Sequence, residues 1–188
     1  WITQQFGAPQ AMHMTTILND PDRIDKGWSV MAPSIWKQYF EGQDQLRQRM
    51  VFALSQILVV SGTDIGQAMA MQRYQQMLAD LAFGNYRDVL LQVTLSPAMG
   101  NYLDMVNNLK PNPTTGVEPN ENYARELLQL FSVGTVELNL DSTPLLDAAR
   151  KPGHERYCSP PCTLRLARFA SSTMRVPSQT LCETGFST

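Results

Sequence analysis

Apolar and polar residues alternate along most of this chain with the period of a helix. The clearest case is Asn120-Glu121-Asn122-Tyr123-Ala124-Arg125-Glu126-Leu127-Leu128-Gln129-Leu130-Phe131-Ser132-Val133-Gly134. At about 100° per residue, Tyr123, Ala124, Leu127, Leu128, Leu130 and Phe131 share one side of a helix. Glu121, Asn122, Arg125, Glu126, Gln129 and Ser132 share the other. Asn120 suits the N-cap, because its side-chain oxygen can accept from a free backbone N–H of the first turn. Gly134 suits the left-handed turn that closes a helix.

The same reading predicts further helices upstream. Trp28, Val30, Met31, Ile35, Trp36, Tyr39 and Phe40 recur at helical spacing with Pro33 among them, which predicts two short helical pieces. Asp44 reads as the cap of a helix from 45 to about 61. Between Met50 and Val60 only Ser55 and Gln56 are polar, the pattern of a helix buried at the centre of a bundle. Its expected seam is Leu46, Met50, Ala53, Leu54 and Ile57. Arg47 and Arg49 stand near its start, where the helix dipole disfavours cations, and therefore call for acidic partners or solvent.

Beyond Gly62-Thr63-Asp64 a helix runs to about 83, with Met71, Tyr74, Leu78 and Leu81 facing inward and Gln72, Arg73, Gln76 and Asp80 outward. Asn85 caps the next, whose apolar side is Tyr86, Val89, Leu90 and Val93. Ser96-Pro97 ends it and opens another, since proline at the first helical position gives up no needed N–H. The long loop 107–118 contains Pro111, Pro113 and Gly116, and loops of that length are functional or disordered. Thr135 to Leu140 alternates with period two and reads as one short strand in need of a partner. The predicted architecture is all-α: an irregular multi-helix bundle of about six helices, truncated, with a non-helical C-terminal tail.

Composition changes this picture at its ends. A chain of 188 residues, 43% hydrophobic, can bury one real core. Residues 1–150 carry 10 Lys/Arg against 15 Asp/Glu, whereas residues 151–188 carry 5 against 2. The second stretch is rich in Ser, Thr, Pro, Arg and Cys and sustains no period, a composition that buries too little to offset ordering entropy. The expected organisation is a helical core over 1–147, lacking its own N-terminal start, and a tail over 148–188 that is disordered or out of frame. Trp1 to Phe6 reads as the end of an amphipathic helix entered part-way, so residues are expected to precede Trp1. No apolar run reaches the length of about 18 residues that a membrane span needs. A net charge of -2 without a basic face argues against nucleic acid.

Candidate chemistry is sparse. The helical part holds a single histidine, His13, without the Glu-x-x-His spacing of helical metal sites. His154, Cys158, Cys162 and Cys182 can be written as a zinc set but not with a usual finger spacing, and no metal or cofactor is expected. No Gly-x-Ser-x-Gly, phosphate-cradling loop or dinucleotide fingerprint occurs. The candidate polar site is Asp104, Asn120, Glu121, Asn122, Arg125 and Glu126. Glu121 and Arg125 stand four apart, as do Asn122 and Glu126, so each pair can interact along the helix. Glu121 and Glu126 lie about 140° apart around the axis, which does not make a shared acid–base pair. A solvated salt-bridge face and a ligand-binding or catalytic face both fit these residues.

Three ordered motifs carry a family resemblance. They are the Asn120–Gly134 stretch, Asp44-Gln45-Leu46-Arg47-Gln48-Arg49 leading into an apolar helix, and Phe83-Gly84-Asn85-Tyr86-Arg87-Asp88 with Leu95-Ser96-Pro97-Ala98-Met99 and Tyr102-Leu103-Asp104. Over roughly residues 1–147 the chain resembles the bacterial family catalogued as domain of unknown function 1800. The resemblance implies a large helical bacterial protein of which this is an internal piece. It also implies export to the periplasm, outer envelope or medium, and a possible protein partner from a neighbouring gene. It brings no established reaction and no catalytic residues. After Asp147 the family pattern gives way, and the abrupt change of composition motivates the hypothesis of a shifted reading frame. Translating the DNA in its other frames tests this, and finding no helical pattern beyond residue 150 in any frame would refute it. Two functions follow as expectations: a structural or interaction protein of the cell envelope, or an enzyme, possibly a hydrolase. The enzyme's site would lie at the 107–118 loop and the polar face of helix 120–133.

Overall fold

The computed structural model describes residues 1–11, 28–134, 136 and 138–145. Eight α-helices form among them: α1 (Ile2–Phe6), α2 (Trp28–Glu41), α3 (Gln45–Ile57), α4 (Gly62–Ile65), α5 (Ala68–Asp80), α6 (Tyr86–Leu95), α7 (Pro97–Tyr102) and α8 (Asn122–Leu128). A π-helical turn, Gln129–Val133, continues α8. The fold is all-α, as the periodicity predicts. The turn expected at Asn19–Asp22, His13, and the expected tail with its cysteines lie outside the described residues. The chain forms two compact units, Trp1–Tyr102 and Leu103–Thr188.

In the first unit the helix at the centre is α5, which packs against α2, α3, α4, α6 and α7. Its buried residues run almost round the axis: Ala68, Met71, Gln72, Tyr74, Gln75, Gln76, Leu78 and Ala79. The sequence pattern assigns Gln72 and Gln76 to an outer polar face, and both are buried instead. A helix with neighbours on five sides has no outer face over most of its length. Its glutamines are accommodated through their methylene stems and, in part, through bonds. Tyr39 donates to Gln75 Oε1 at 2.9 Å, and Gln76 donates to Asp80 at 2.9 Å. The Tyr74 hydroxyl donates to the Leu58 carbonyl at 2.6 Å and satisfies the end of α3. Gln72 is left with neither amide atom bonded among the described residues, an arrangement that costs about 1–3 kcal/mol per buried polar group.

Helix α3 is the converse. It buries only Gln48, Val51 and Leu54, followed by Leu58 past its end. The expected central position and the expected seam through Met50, Ala53 and Ile57 are both corrected. Met50, Phe52, Ile57 and Val59 are exposed, because α3 lies at the side of α5 and needs only one buried stripe. Asp44 stands at the N-cap position but does not cap. Its wholly buried carboxylate accepts from Ala11 N at 3.1 Å and from Gln48 Nε2, and pairs with Arg47 at 3.7 Å. The cap bond comes from α1 instead, where Gln5 Oε1 accepts from Leu46 N at 3.0 Å. Arg47 is fixed further by donating to the Ala79 carbonyl at 2.8 Å and by lying over the Phe83 ring at 4.6 Å. Arg49 is exposed, so one of the two cations found an acid and the other found solvent.

Two local expectations also change, and two others hold. Pro33 sits inside an unbroken α2. The carbonyl that would have lost its partner belongs to Ser29, and both residues are exposed, so water can take the place of the missing N–H. Gly62-Thr63-Asp64, expected as a break, forms most of α4, which Gly66 ends at φ +65°, and the helix expected up to about residue 83 is α5, ending at Asp80. Within α4, a Cβ on Gly62 would stand 2.2 Å from the Trp28 ring, so only glycine lets α4 approach α2 this closely. Asn85 caps α6 as expected, accepting from Arg87 N at 2.9 Å, and Pro97 is the first residue of α7.

In the second unit, α8 does not run on as an α-helix to Ser132. The Ser132 hydroxyl donates to the Leu127 carbonyl at 2.5 Å, and the backbone widens into the π turn. The wider winding turns each residue through a smaller angle. Phe131 therefore returns to the buried side, against Tyr123 with ring centroids 6.4 Å apart, while Leu130 swings out and is exposed. No strand forms among the described residues. The period-two stretch ends in a single bridge between Leu138 and Pro144, closed by a tight turn in which Ser142 takes φ +66°. With no neighbouring strand, Leu138 and Leu140 stay exposed.

Candidate functional site

The expected polar site is built on α8 and the loop before it. Arg125 is its hub. Its guanidinium lies 3.7 Å from Glu121, 3.9 Å from Glu126 and donates to Asn122 Oδ1 at 3.0 Å. The helical spacing predicts the Glu121 contact; the Asn122 contact uses the three-residue spacing instead of pairing Asn122 with Glu126. Asn120 performs the expected capping bond, accepting from Asn122 N at 2.9 Å, although Glu121 holds the boundary position. Asp104 takes no part in the Arg125 ion pairs among the described residues. It lies exposed, with φ +54°, in the turn that leaves α7. Five of the six candidates are thus brought together, and Arg125 closes the cluster with one hydrogen bond and two longer ion pairs. One atom departs from that closure: Glu126 Oε2 is buried with no partner among the described residues.

The loop 107–118 is organised. Asn108 clasps Asn120 reciprocally, donating from Nδ2 to the Asn120 carbonyl at 2.8 Å and accepting from Asn120 N at 2.7 Å. Asn112 N donates to the Val117 carbonyl at 2.8 Å, and Gly116 N to the Asn112 carbonyl at 2.9 Å. Gly116, at φ +70°, makes that reversal, and Asn112 Oδ1 accepts from Thr114 N at 3.0 Å. The result is a pinned arch presenting Leu109, Lys110 and Asn112 to Gly116 to solvent.

A second feature, in the first unit, was not singled out from the sequence. Between α2 and α3 lies a groove of about 470 Å³ lined by Trp36, Tyr39, Phe40, Gln45, Gln48, Arg49 and Phe52. Trp36 and Phe40, four apart on α2, stack at 5.8 Å with 19° between their planes, and Phe52 leans on Trp36 at 6.1 Å. Burial pushes the Tyr39 phenol above its ordinary pKa, offset in part by a hydrogen bond with Ser55. The signal that could have found this groove is a surplus: α3 carries more apolar residues than one buried stripe can use.

Residues 1–154 match the family described as Protein of unknown function (DUF1800). The chain belongs to this family. The match ends a few residues beyond the point near 147 where the motifs fade. No curated protein matches the chain. No solved structure matches it either. Among the described residues of this DUF1800 chain, no group of three or more His, Cys, Asp or Glu could hold a metal ion. None of its described helices is long and apolar enough to cross a membrane.

Proposed function

We propose that this DUF1800 chain is a structural or interaction protein of the bacterial cell envelope, exported and working with a separate protein partner encoded by a neighbouring gene. The pinned 107–118 arch is the observation that carries this reading. An exposed loop held by a reciprocal clasp loses little freedom on binding, which is what a recognition loop needs. The Arg125 cluster beside it supports the same reading, since a guanidinium bonded to Asn122 and flanked by Glu121 and Glu126 serves to fix a helix surface. The test is calorimetry of the full chain with the purified neighbouring-gene protein. Binding should weaken at least about tenfold in Leu109→Asp and in Asn108→Ala, both at exposed or half-buried positions. Unchanged affinity in both variants would refute the role of the arch.

A second reading, an enzyme and possibly a hydrolase, is favoured by one observation, the unpartnered Glu126 Oε2 beside Arg125. On that reading Glu126→Gln and Arg125→Lys abolish turnover while helical circular dichroism stays intact. Loss of the dichroism instead supports the structural role.

A further inference from the structure

A continuous line of hydrogen bonds joins the Arg125 cluster to the 107–118 arch. We propose that Arg125 is the positioning residue of the arch: acting through Asn122, Asn120 and Asn108, its guanidinium holds the arch in the shape it presents. The functional weight of this relay rests on the reading of the arch as a recognition loop.

Donor and acceptor follow one another in order along the line. Arg125 Nη2 donates to Asn122 Oδ1 at 3.0 Å, and Asn122 N donates to Asn120 Oδ1 at 2.9 Å. Asn120 N donates to Asn108 Oδ1 at 2.7 Å, and the Asn120 carbonyl accepts from Asn108 Nδ2 at 2.8 Å. Each amide oxygen in this line faces a group that can only donate, and Asn108 Nδ2 faces one that can only accept. All three side-chain amides therefore have a single workable orientation. Beyond the clasp, Asn108 N donates to the carbonyl of the buried Met105 at 3.2 Å, which moors the first limb of the arch.

The need for Arg125 follows from how little else steadies the middle of the line. Asn120 is exposed, and a bond that water can replace is weak by itself. Helix α8 is seven residues long, too short to keep its first turn without support. Arg125 gives that support from one turn ahead. Its backbone N donates to the Glu121 carbonyl at 2.9 Å. Its Nη1 lies 3.7 Å from Glu121, its Nη2 bonds Asn122, and its Nε lies 3.9 Å from Glu126. Three nitrogens of one planar group meet three residues, which a lysine ammonium cannot reproduce. Without this clamp the first turn of α8 frays, Asn120 moves with it, and the Asn108 clasp opens. The bonds from Asn112 N to the Val117 carbonyl and from Gly116 N to the Asn112 carbonyl lie within the tip, so they keep its curl without fixing how it is carried. A guanidinium that served the surface of α8 alone would leave the clasp closed. The two roles differ in how far a change at Arg125 travels.

The test is amide hydrogen exchange of the full chain, read by NMR at the Asn120 N–H. Arg125→Lys keeps a positive charge near Glu121 and Glu126 but loses the fork, and Asn122→Ala keeps Arg125 but removes its acceptor. Each should speed exchange at Asn120 at least about tenfold, while the amide of the buried Leu78 keeps its parent rate. In an Asn108→Ala background the acceptor of that N–H is already gone, so Arg125→Lys should add less than about twofold. The proposal is overturned if exchange at Asn120 is unchanged in both variants, or if Arg125→Lys speeds it equally with and without the Asn108 side chain. Exchange needs no partner protein, so it decides the relay by itself. Should the relay hold while Arg125→Lys binds the neighbouring-gene protein as tightly as the parent does, the reading of the arch as a recognition loop fails instead.

Discussion

Helices α3 and α5 are both thirteen residues long, and in them the relation between composition and burial runs in opposite directions. α3 has an unbroken apolar stretch and leaves Met50, Phe52 and Ile57 in solvent. α5 mixes methionines with glutamines and is buried on nearly every side. A helix is central because others surround it, and surrounding is a property of the whole packing that no single helix encodes. The excess apolar surface of α3 and the orphaned amide of Gln72 are two faces of that placement: one helix has more apolar surface than its position uses, the other more polar groups than its position satisfies.

The largest effect that could break this comparison is a pair of truncations. Leu78→Ala should lower stability by about 2–5 kcal/mol, because Leu78 is fully buried on α5. Ile57→Ala on α3 should stay within about 0.5 kcal/mol, as surface changes do. Urea denaturation reads both, and similar losses would contradict the assignment. Gly62→Ala should cost about 1–3 kcal/mol in the same assay, since its methyl would enter the Trp28 ring and separate α4 from α2. A neutral result would mean that this approach is looser than described.

A smaller change has the opposite sign. Gln72→Met keeps the stem and removes the unbonded amide, so it should raise stability by about 1 kcal/mol; destabilisation would show that the amide has a partner. The smallest effect lies outside both helices and calibrates the scale. Asp141 is held below the ordinary carboxylate pKa by accepting from the Thr143 hydroxyl and Thr143 N. Its folded value is depressed, so whatever it contributes to the turn is present above the ordinary carboxylate pKa and is lost as pH falls through the lowered value. An NMR titration should place its midpoint below that of a free aspartate, and Thr143→Val should move it back; an ordinary midpoint in the parent chain removes the claim.

Where the determinants are local, the sequence is informative. The Asn85 cap, the start of α7 at Pro97, the Asn120 capping bond and the Glu121–Arg125 pair all depend on residues within four positions of one another. The clasp of Asn108 on Asn120 spans twelve residues, and nothing at either asparagine announces it. The π turn depends on whether Ser132 bonds back to Leu127, which helical periodicity does not register. The rotation of α3 escaped for a related reason. A stretch apolar on every side has no preferred seam, so only its neighbours select Val51 and Leu54 over Met50 and Ile57. The groove with Trp36, Phe40 and Phe52 went unseen with it, because it consists of the apolar residues that selection left outside.

The inversion between the two helices is tested most directly by methionine oxidation of the native chain with dilute hydrogen peroxide, followed site by site with mass spectrometry. Met50 on α3 is 37% exposed and Met71 on α5 is 2% exposed. Met50 should convert to the sulfoxide readily, while Met71 stays reduced until denaturant unfolds the protein. Oxidation of Met71 as fast as Met50 in the folded chain would contradict the account.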